Sequence, residues 1–283
     1  MLKRLRFSFP LVLSITKYLM VGLLLSFISY YVLYSHIFYC QTIGFSTFEK
    51  VNKKLYVSPG IAPGHREQMY ATILRARQRV AAFWGTATGE ATIILCSSPE
   101  EYQKYCHSSE GAGCSLGTPW GDSYIILNPF GLNEDVISHE MCHDELFTRL
   151  GWWKTTRQIP QWFNEGLALM LDRRFVVETD SLQRYQSYHD EWMYLTHGAQ
   201  EVLELEQLAS MKGFFGGNQR HVMLAYMTAG MEVSYWLMLT GSQGVGVLME
   251  GIQDGRSFDE SYQGMKKAGE ARRRLPPSFY PLH

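Results

Sequence analysis

Residues 139–143 read His139-Glu140-Met141-Cys142-His143, two imidazoles four positions apart with a carboxylate between them. On a helix, positions i and i+4 share a face, so both histidines can reach one metal ion. Glu140 lies roughly 100° round the helix from His139, which puts it beside that metal rather than on it. Glu165 follows His143 by 22 residues, inside Trp162-Phe163-Asn164-Glu165-Gly166-Leu167-Ala168, and offers a third ligand. His139, His143 and Glu165 leave the fourth tetrahedral position of one Zn2+ per chain open to water. Zinc lowers the pKa of bound water from about 15.7 to about 7, worth roughly 12 kcal/mol at about 1.36 kcal/mol per unit. Glu140 is then placed to act as general base and to pass the proton to a departing amine. The chemistry expected is hydrolysis without a covalent intermediate.

Those residues need rigid elements, and the flanking sequence supplies them. Ser123-Tyr124-Ile125-Ile126-Leu127-Asn128 reads as a strand leading into a turn at Pro129 and Gly131. Asn133-Glu134-Asp135 then opens the motif helix with a cap and two acids in its first turn. That helix is expected to stop at Gly151, and Pro160 to open the helix carrying Glu165. Upstream, residues 65–84 carry Met69, Ile73, Val80 and Phe83 at helical spacing, and residues 91–96 form a short apolar strand. Ser98-Pro99 starts another helix. Downstream, residues 181–212 read as helical and residues 220–250 as a helical pair broken at Gly241 and Gly244. A last short helix is capped by Ser257-Phe258-Asp259-Glu260, and the tail carries Arg272-Arg273-Arg274-Leu275-Pro276-Pro277.

The 283 residues are 46% hydrophobic and 19% charged with a net charge of −1, which fits one globular domain plus a special segment. The balance lacks the basic excess expected of a nucleic-acid binder. No Asp, Glu, Lys or Arg falls between Lys17 and Glu49, and residues 18–39 are long enough to cross a bilayer. Lys3, Arg4, Arg6 and Lys17 precede this run and favour a cytoplasmic N-terminus. The usual signal-peptide core is shorter, and no Ala-x-Ala-like site follows, so the run reads as an uncleaved anchor. The expected organisation is a basic N-terminus over 1–17, an anchor over 18–39, a connector over 40–64, a catalytic domain over 65–265 and a tail over 266–283. The domain then lies outside the cytoplasm, periplasmic or at the cell surface. No feature specifies an oligomeric state. Among Cys96, Cys106 and Cys114, one disulfide and free buried thiols are both open readings.

On the two zinc segments, the chain resembles a gluzincin of the peptidase MA superfamily, the thermolysin-like clan. Fainter echoes lie in Tyr226-Met227-Thr228-Ala229 and Gly255-Arg256-Ser257-Phe258-Asp259-Glu260, and the likeness extends over about residues 66–265. It implies an α+β, zincin-like domain: a small mixed sheet over the motif helix, followed by a helical C-terminal half. The sheet's edge strand would bind extended peptide, with Ser123–Asn128 as that strand and Gly117–Trp120 at its rim. A distant Tyr or His usually donates to the oxyanion in such enzymes; Tyr226 is the first choice, with His221 and then Tyr235 behind it. Many gluzincins also have an aspartate four residues after the third ligand. Leu169 stands there instead, so Asp172, Asp144 and Glu145 are the candidates for orienting a histidine. Cys142 is read as a small residue packed under the site. Trp152, Trp153, Trp162 and Phe163 are read as core more than as cleft.

The resulting expectation is a membrane-anchored zinc endopeptidase acting on peptide or protein. Two alternatives remain: a retired peptidase fold that binds a partner around a structural zinc, and an amidase acting on cell-wall peptide cross-links.

Overall fold

The computed structural model describes residues 9–108 and 111–273. The basic residues at 3, 4 and 6, and the end of the tail from 274 on, lie outside the described residues. The architecture is α+β and mostly helical, with one five-stranded mixed sheet.

The apolar N-terminal segment forms α1 (Phe9–Leu33), with Thr16–Leu33 long and apolar enough to cross a membrane. The helix ends earlier than the expected span. Tyr34 breaks the regular backbone, and α2 (Ser35–Gln41) folds back along α1. Phe38 meets Phe27 and Tyr31 edge-on, and the Tyr30 hydroxyl lies 2.8 Å from Gln41 Oε1. Residues 34–39 therefore return toward the domain rather than extending the span.

The stretch read as a connector is also part of the fold. β1 (Glu49–Asn52) and β2 (Leu55–Val57) form an antiparallel hairpin that joins the sheet, and Leu55, Tyr56 and Val57 are buried. Three apolar residues are too few for a periodic signal, so only their partner strand reveals them. α3 (Arg66–Trp84) returns the chain to β3 (Thr92–Leu95), parallel to β2. α4 (Pro99–Cys106) follows, its first turn held by the Ser98 side chain accepting from Glu101 N–H. β4 (Gly113–Gly117) and β5 (Ser123–Leu127) complete the order β1-β2-β3-β5-β4.

Alternation sorts the strands onto two faces. Ile93, Leu95, Ile125 and Leu127 pack on α3 and on Val136 and Ile137 of the motif helix. Ile94, Cys96, Tyr124 and Ile126 pack on the other side with Cys40 of α2 and Tyr102, Tyr105 and Cys106 of α4. Cys106 and Cys114 form a disulfide joining α4 to β4, while Cys40, Cys96 and Cys142 are buried thiols.

The edge strand is β4, not the Ser123–Asn128 strand expected there. β5 is covered on both sides, by β3 and β4. Three of the five residues of β4 are Gly or Ser, and glycine weakens the strand signal, so the segment reads as a loop. Those small residues serve close approach: a Cβ on Gly113 would meet Glu140 Cγ at 2.9 Å, and one on Gly117 would meet the Phe147 ring at 3.0 Å. β4 is thereby pressed onto the motif helix.

That helix, α5 (Glu134–Gln158), starts as expected, with the Asn133 side chain accepting from Val136 N–H. Arg79 of α3 pairs with Glu134 and Asp135 in its first turn. It stops at Gly151 as expected: that residue, at φ 75° and ψ 157°, leaves the helical backbone, and a second helical stretch runs on to Gln158, with the Thr155 hydroxyl donating to the Leu146 carbonyl at 3.1 Å across the bend. After α6 (Gln161–Leu169) come α7 (Ser181–Leu195), α8 (Met211–Phe215), α9 (Gln219–Thr240), α10 (Gln243–Gln253) and α11 (Phe258–Arg273). α9 is long and apolar enough to cross a membrane by composition, but it sits inside the helical core. α11 is longer than the short helix expected, and takes in residues 266–273 of the supposed tail.

Candidate metal centre

α5 presents His139 and His143 on one buried face, and α6 delivers Glu165 against them. The two rings meet edge-on, with centroids 5.0 Å apart. Each turns Nε2 toward the glutamate: His139 Nε2 lies 3.3 Å from Glu165 Oε2, and His143 Nε2 lies 3.7 Å from Oε1. One ligand atom from each residue falls within 4.8 Å of the others, and all three residues are buried. The fold thus brings the three expected residues together.

Their supporting partners lay partly outside the sequence reading. His143 Nδ1 is 2.9 Å from Asn164 Oδ1, and Gln161 donates through Nε2 to Glu165 Oε1 at 2.7 Å. Gln161 stands one helical turn before Glu165, so the i, i+4 relation was available as a signal. Asn164 had only its place inside the motif. For His139, the candidate that fits is Asp172, whose Oδ2 lies 3.4 Å from Nδ1, a long contact for a hydrogen bond. The turn after α6 carries Asp172 there, with its N–H on the Ala168 carbonyl. Leu169, at the position where an aspartate was sought, is core. Arg174 holds both Asp172 oxygens, donating through Nε at 2.9 and 3.1 Å, and no sequence pattern marked it.

Asp144 and Glu145 do not serve the histidines. Asp144 Oδ2 accepts from Ala91 N–H at 2.9 Å. Glu145 accepts from Gly89 N–H at 2.6 Å and from the Thr88 hydroxyl at 2.7 Å. They tie the loop before β3 to the far face of α5.

Buried charges set the electrostatics. Burial disfavours a protonated His139, but Asp172 and Glu165 outweigh it and raise its pKa to about 10. Burial would raise Glu165, yet His143, His139 and Gln161 carry it below the usual carboxylate range. Arg174 and His139 overcome burial at Asp172 in the same way. Three buried carboxylates around two imidazoles favour positive charge there, and the donor set of two imidazoles and a carboxylate fits zinc. Glu140 is buried beneath Gly113, and desolvation pushes its pKa up, opposed by His139 and His143.

Tyr226 reaches the same environment from α9. Burial, then Glu165 and Glu140, raise its phenol well above the ordinary value, so it stays a donor. Its ring stacks on Phe175 at 5.9 Å and meets Phe214 edge-on at 5.1 Å. The other choices fall away. His221 Nε2 is engaged 2.7 Å from the Gly213 carbonyl, and the Tyr235 hydroxyl lies 3.4 Å from Glu270. Cys142 is fully buried with its thiol pKa pushed up by desolvation, and Trp162 and Phe163 pack with Phe258 and Tyr262 in the helical core.

The outer edge of β4 is unpaired among the described residues. Asn128 N–H bonds the Ala112 carbonyl and Thr118 N–H the Asp122 carbonyl, on either side of the strand. By antiparallel alternation, Gly113, Ser115 and Gly117 then direct their N–H and C=O groups outward. No family model matches the chain, and no curated protein or solved structure matches it.

Proposed function

We propose that this protein is a zinc-dependent endopeptidase of gluzincin type, attached to a membrane by α1 with its domain outside the cytoplasm. The observation that carries the reading is the convergence of His139, His143 and Glu165 within 4.8 Å beside a buried Glu140, beneath an open sheet edge.

Zinc held by these three residues would supply a Lewis acid and acidify water. Asn164 holds the His143 ring from behind, and Asp172 faces His139 Nδ1 at 3.4 Å, so that Nε2 of each stays turned inward. An extended peptide adds to β4 through the outward groups of Gly113, Ser115 and Gly117, which lays its backbone over the motif helix. Glu140 takes the proton of the attacking water and returns it to the leaving amine; its raised pKa suits both roles. Tyr226, kept protonated, donates to the developing oxyanion.

The test is metal analysis of the purified chain together with peptide-library cleavage by the parent and Glu140→Gln. The expected outcome is stoichiometric zinc in both and turnover in the parent alone. Equal cleavage by both would remove the mechanism. Zinc without turnover on any peptide would instead make the chain a binding module with a structural metal, and selective cutting of cell-wall cross-links over casein would make it an amidase.

A further inference from the structure

The anchor and the proposed substrate edge are built as one unit. β4 ends in a tight turn over Thr118–Asp122, closed by Thr118 N–H on the Asp122 carbonyl. Trp120 at its tip meets the ring of Tyr30, inside the last turn of α1, at 6.2 Å. Tyr30 also reaches Gln41 of α2, and α2 packs Cys40 beneath α4. The disulfide between Cys106 and Cys114 ties α4 back to β4. The open edge is thus braced to the end of the apolar helix from two sides.

The same end of the molecule is dressed for an interface with lipid. Tyr31, Tyr34 and Trp120 are exposed aromatics there, the residue types that gather at the level of lipid head groups. Phe45, four residues beyond α2, is 94% exposed. Water is a poor environment for an isolated phenylalanine; the boundary of a bilayer is a favourable one.

These placements give β4 a direction. Its Gly117 end lies at the anchor, and its Gly113 end lies on Glu140. From Gly117 back to Gly113 is four steps of strand, about 13 Å of extended chain, with the Thr118–Asp122 turn between Gly117 and the anchor. Resting on the peptidase reading above, we infer that the substrate is the juxtamembrane segment of another membrane-embedded polypeptide. That segment leaves the bilayer beside α1, pairs along β4 and is cut about five to eight residues from the lipid boundary, a distance set by the length of β4 plus the depth of the Thr118–Asp122 turn.

The experiment uses the full chain in phospholipid nanodiscs. The probe is one randomised decapeptide library in three forms: free in solution, directly after a twenty-residue apolar helix, and after the same helix plus a sixteen-residue Gly/Ser spacer. Mass spectrometry maps the cuts. We expect those in the helix-linked forms to gather at one distance from the apolar boundary, falling in the spacer when it is present. Tyr30→Ala, which removes the brace, should spread that distance over at least twice as many residues while leaving cleavage of the free library unchanged. Cuts that follow the library sequence wherever it is placed, with the free form cleaved as fast as the linked ones, would overturn the inference and leave the peptidase standing. Absence of any Glu140-dependent cleavage in all three forms would remove both.

Discussion

α5 carries two buried acidic clusters within one and a half turns, and they behave in opposite ways. On one face, Glu140 and its neighbours Glu165 and Asp172 surround imidazoles whose Nε2 atoms point at nothing but a carboxylate. On the other, Asp144 and Glu145 are met by backbone N–H groups and Arg149. Buried carboxylates met by fixed amide dipoles hold a loop in place; buried carboxylates facing titratable rings favour a cation. Burial and acidity alone do not distinguish a site from a clamp. The identity of the partners does.

The sharpest way to break this contrast is to delete a donor. His139→Ala or Glu165→Ala should lower bound zinc from about one per chain to a trace and abolish hydrolysis, read by elemental analysis and peptide assay. If zinc persists at stoichiometry in both variants, the metal lies elsewhere. Glu140→Gln should retain zinc while kcat falls by about 10²- to 10⁴-fold, the share usual for a general base. For Tyr226→Phe, a loss of about 10²-fold in kcat at constant KM and constant zinc is expected from removing one oxyanion donor; a change confined to KM would move Tyr226 from the reacting centre to the cleft wall.

Smaller effects sharpen the difference between the two faces. Asp172→Asn should weaken zinc binding by about 10- to 100-fold. Because metal-free His139 keeps its proton up to about pH 10, binding near neutrality must expel it. Apparent affinity should therefore rise with pH, by roughly tenfold per unit for one proton released, and a chelator titration at pH 6, 7 and 8 reads this directly. Glu145→Ala belongs to the other face. It should lower stability by about 1–3 kcal/mol in urea unfolding, since the Gly89 N–H, the Thr88 hydroxyl and the Arg149 guanidinium lose their acceptor, yet leave zinc content untouched. Loss of zinc in that variant would show that the clamp and the site are one device.

How much of this could be read in advance divides along the same physical line. The two histidines were legible as a pair because i, i+4 on a helix is a local relation, fixed by the 3.6-residue period whatever the rest of the chain does. The helix carrying Glu165 was legible from Pro160, and β3 and β5 from their apolar runs. Asp172 was a candidate because it lies seven residues after Glu165 and could share its face, but Asp144 and Glu145 stayed open beside it, since nothing local says which carboxylate meets which donor. The chain reversal after Leu169 brings Asp172 behind His139, and the loop before β3 claims Asp144.

Sequence alone therefore determined which groups were on offer: two histidines at helical spacing, Glu140 between them, Glu165 on the next helix and an apolar N-terminal helix. Tertiary structure decided everything that depends on closing long loops. It made β4 rather than β5 the edge, turned residues 34–41 back onto the anchor, and chose Asp172 and Arg174 as support. Periodicity is a property of neighbours along the chain and survives in a string of letters. Strand order and charge pairing are properties of neighbours in space, set by which surfaces the whole chain buries together.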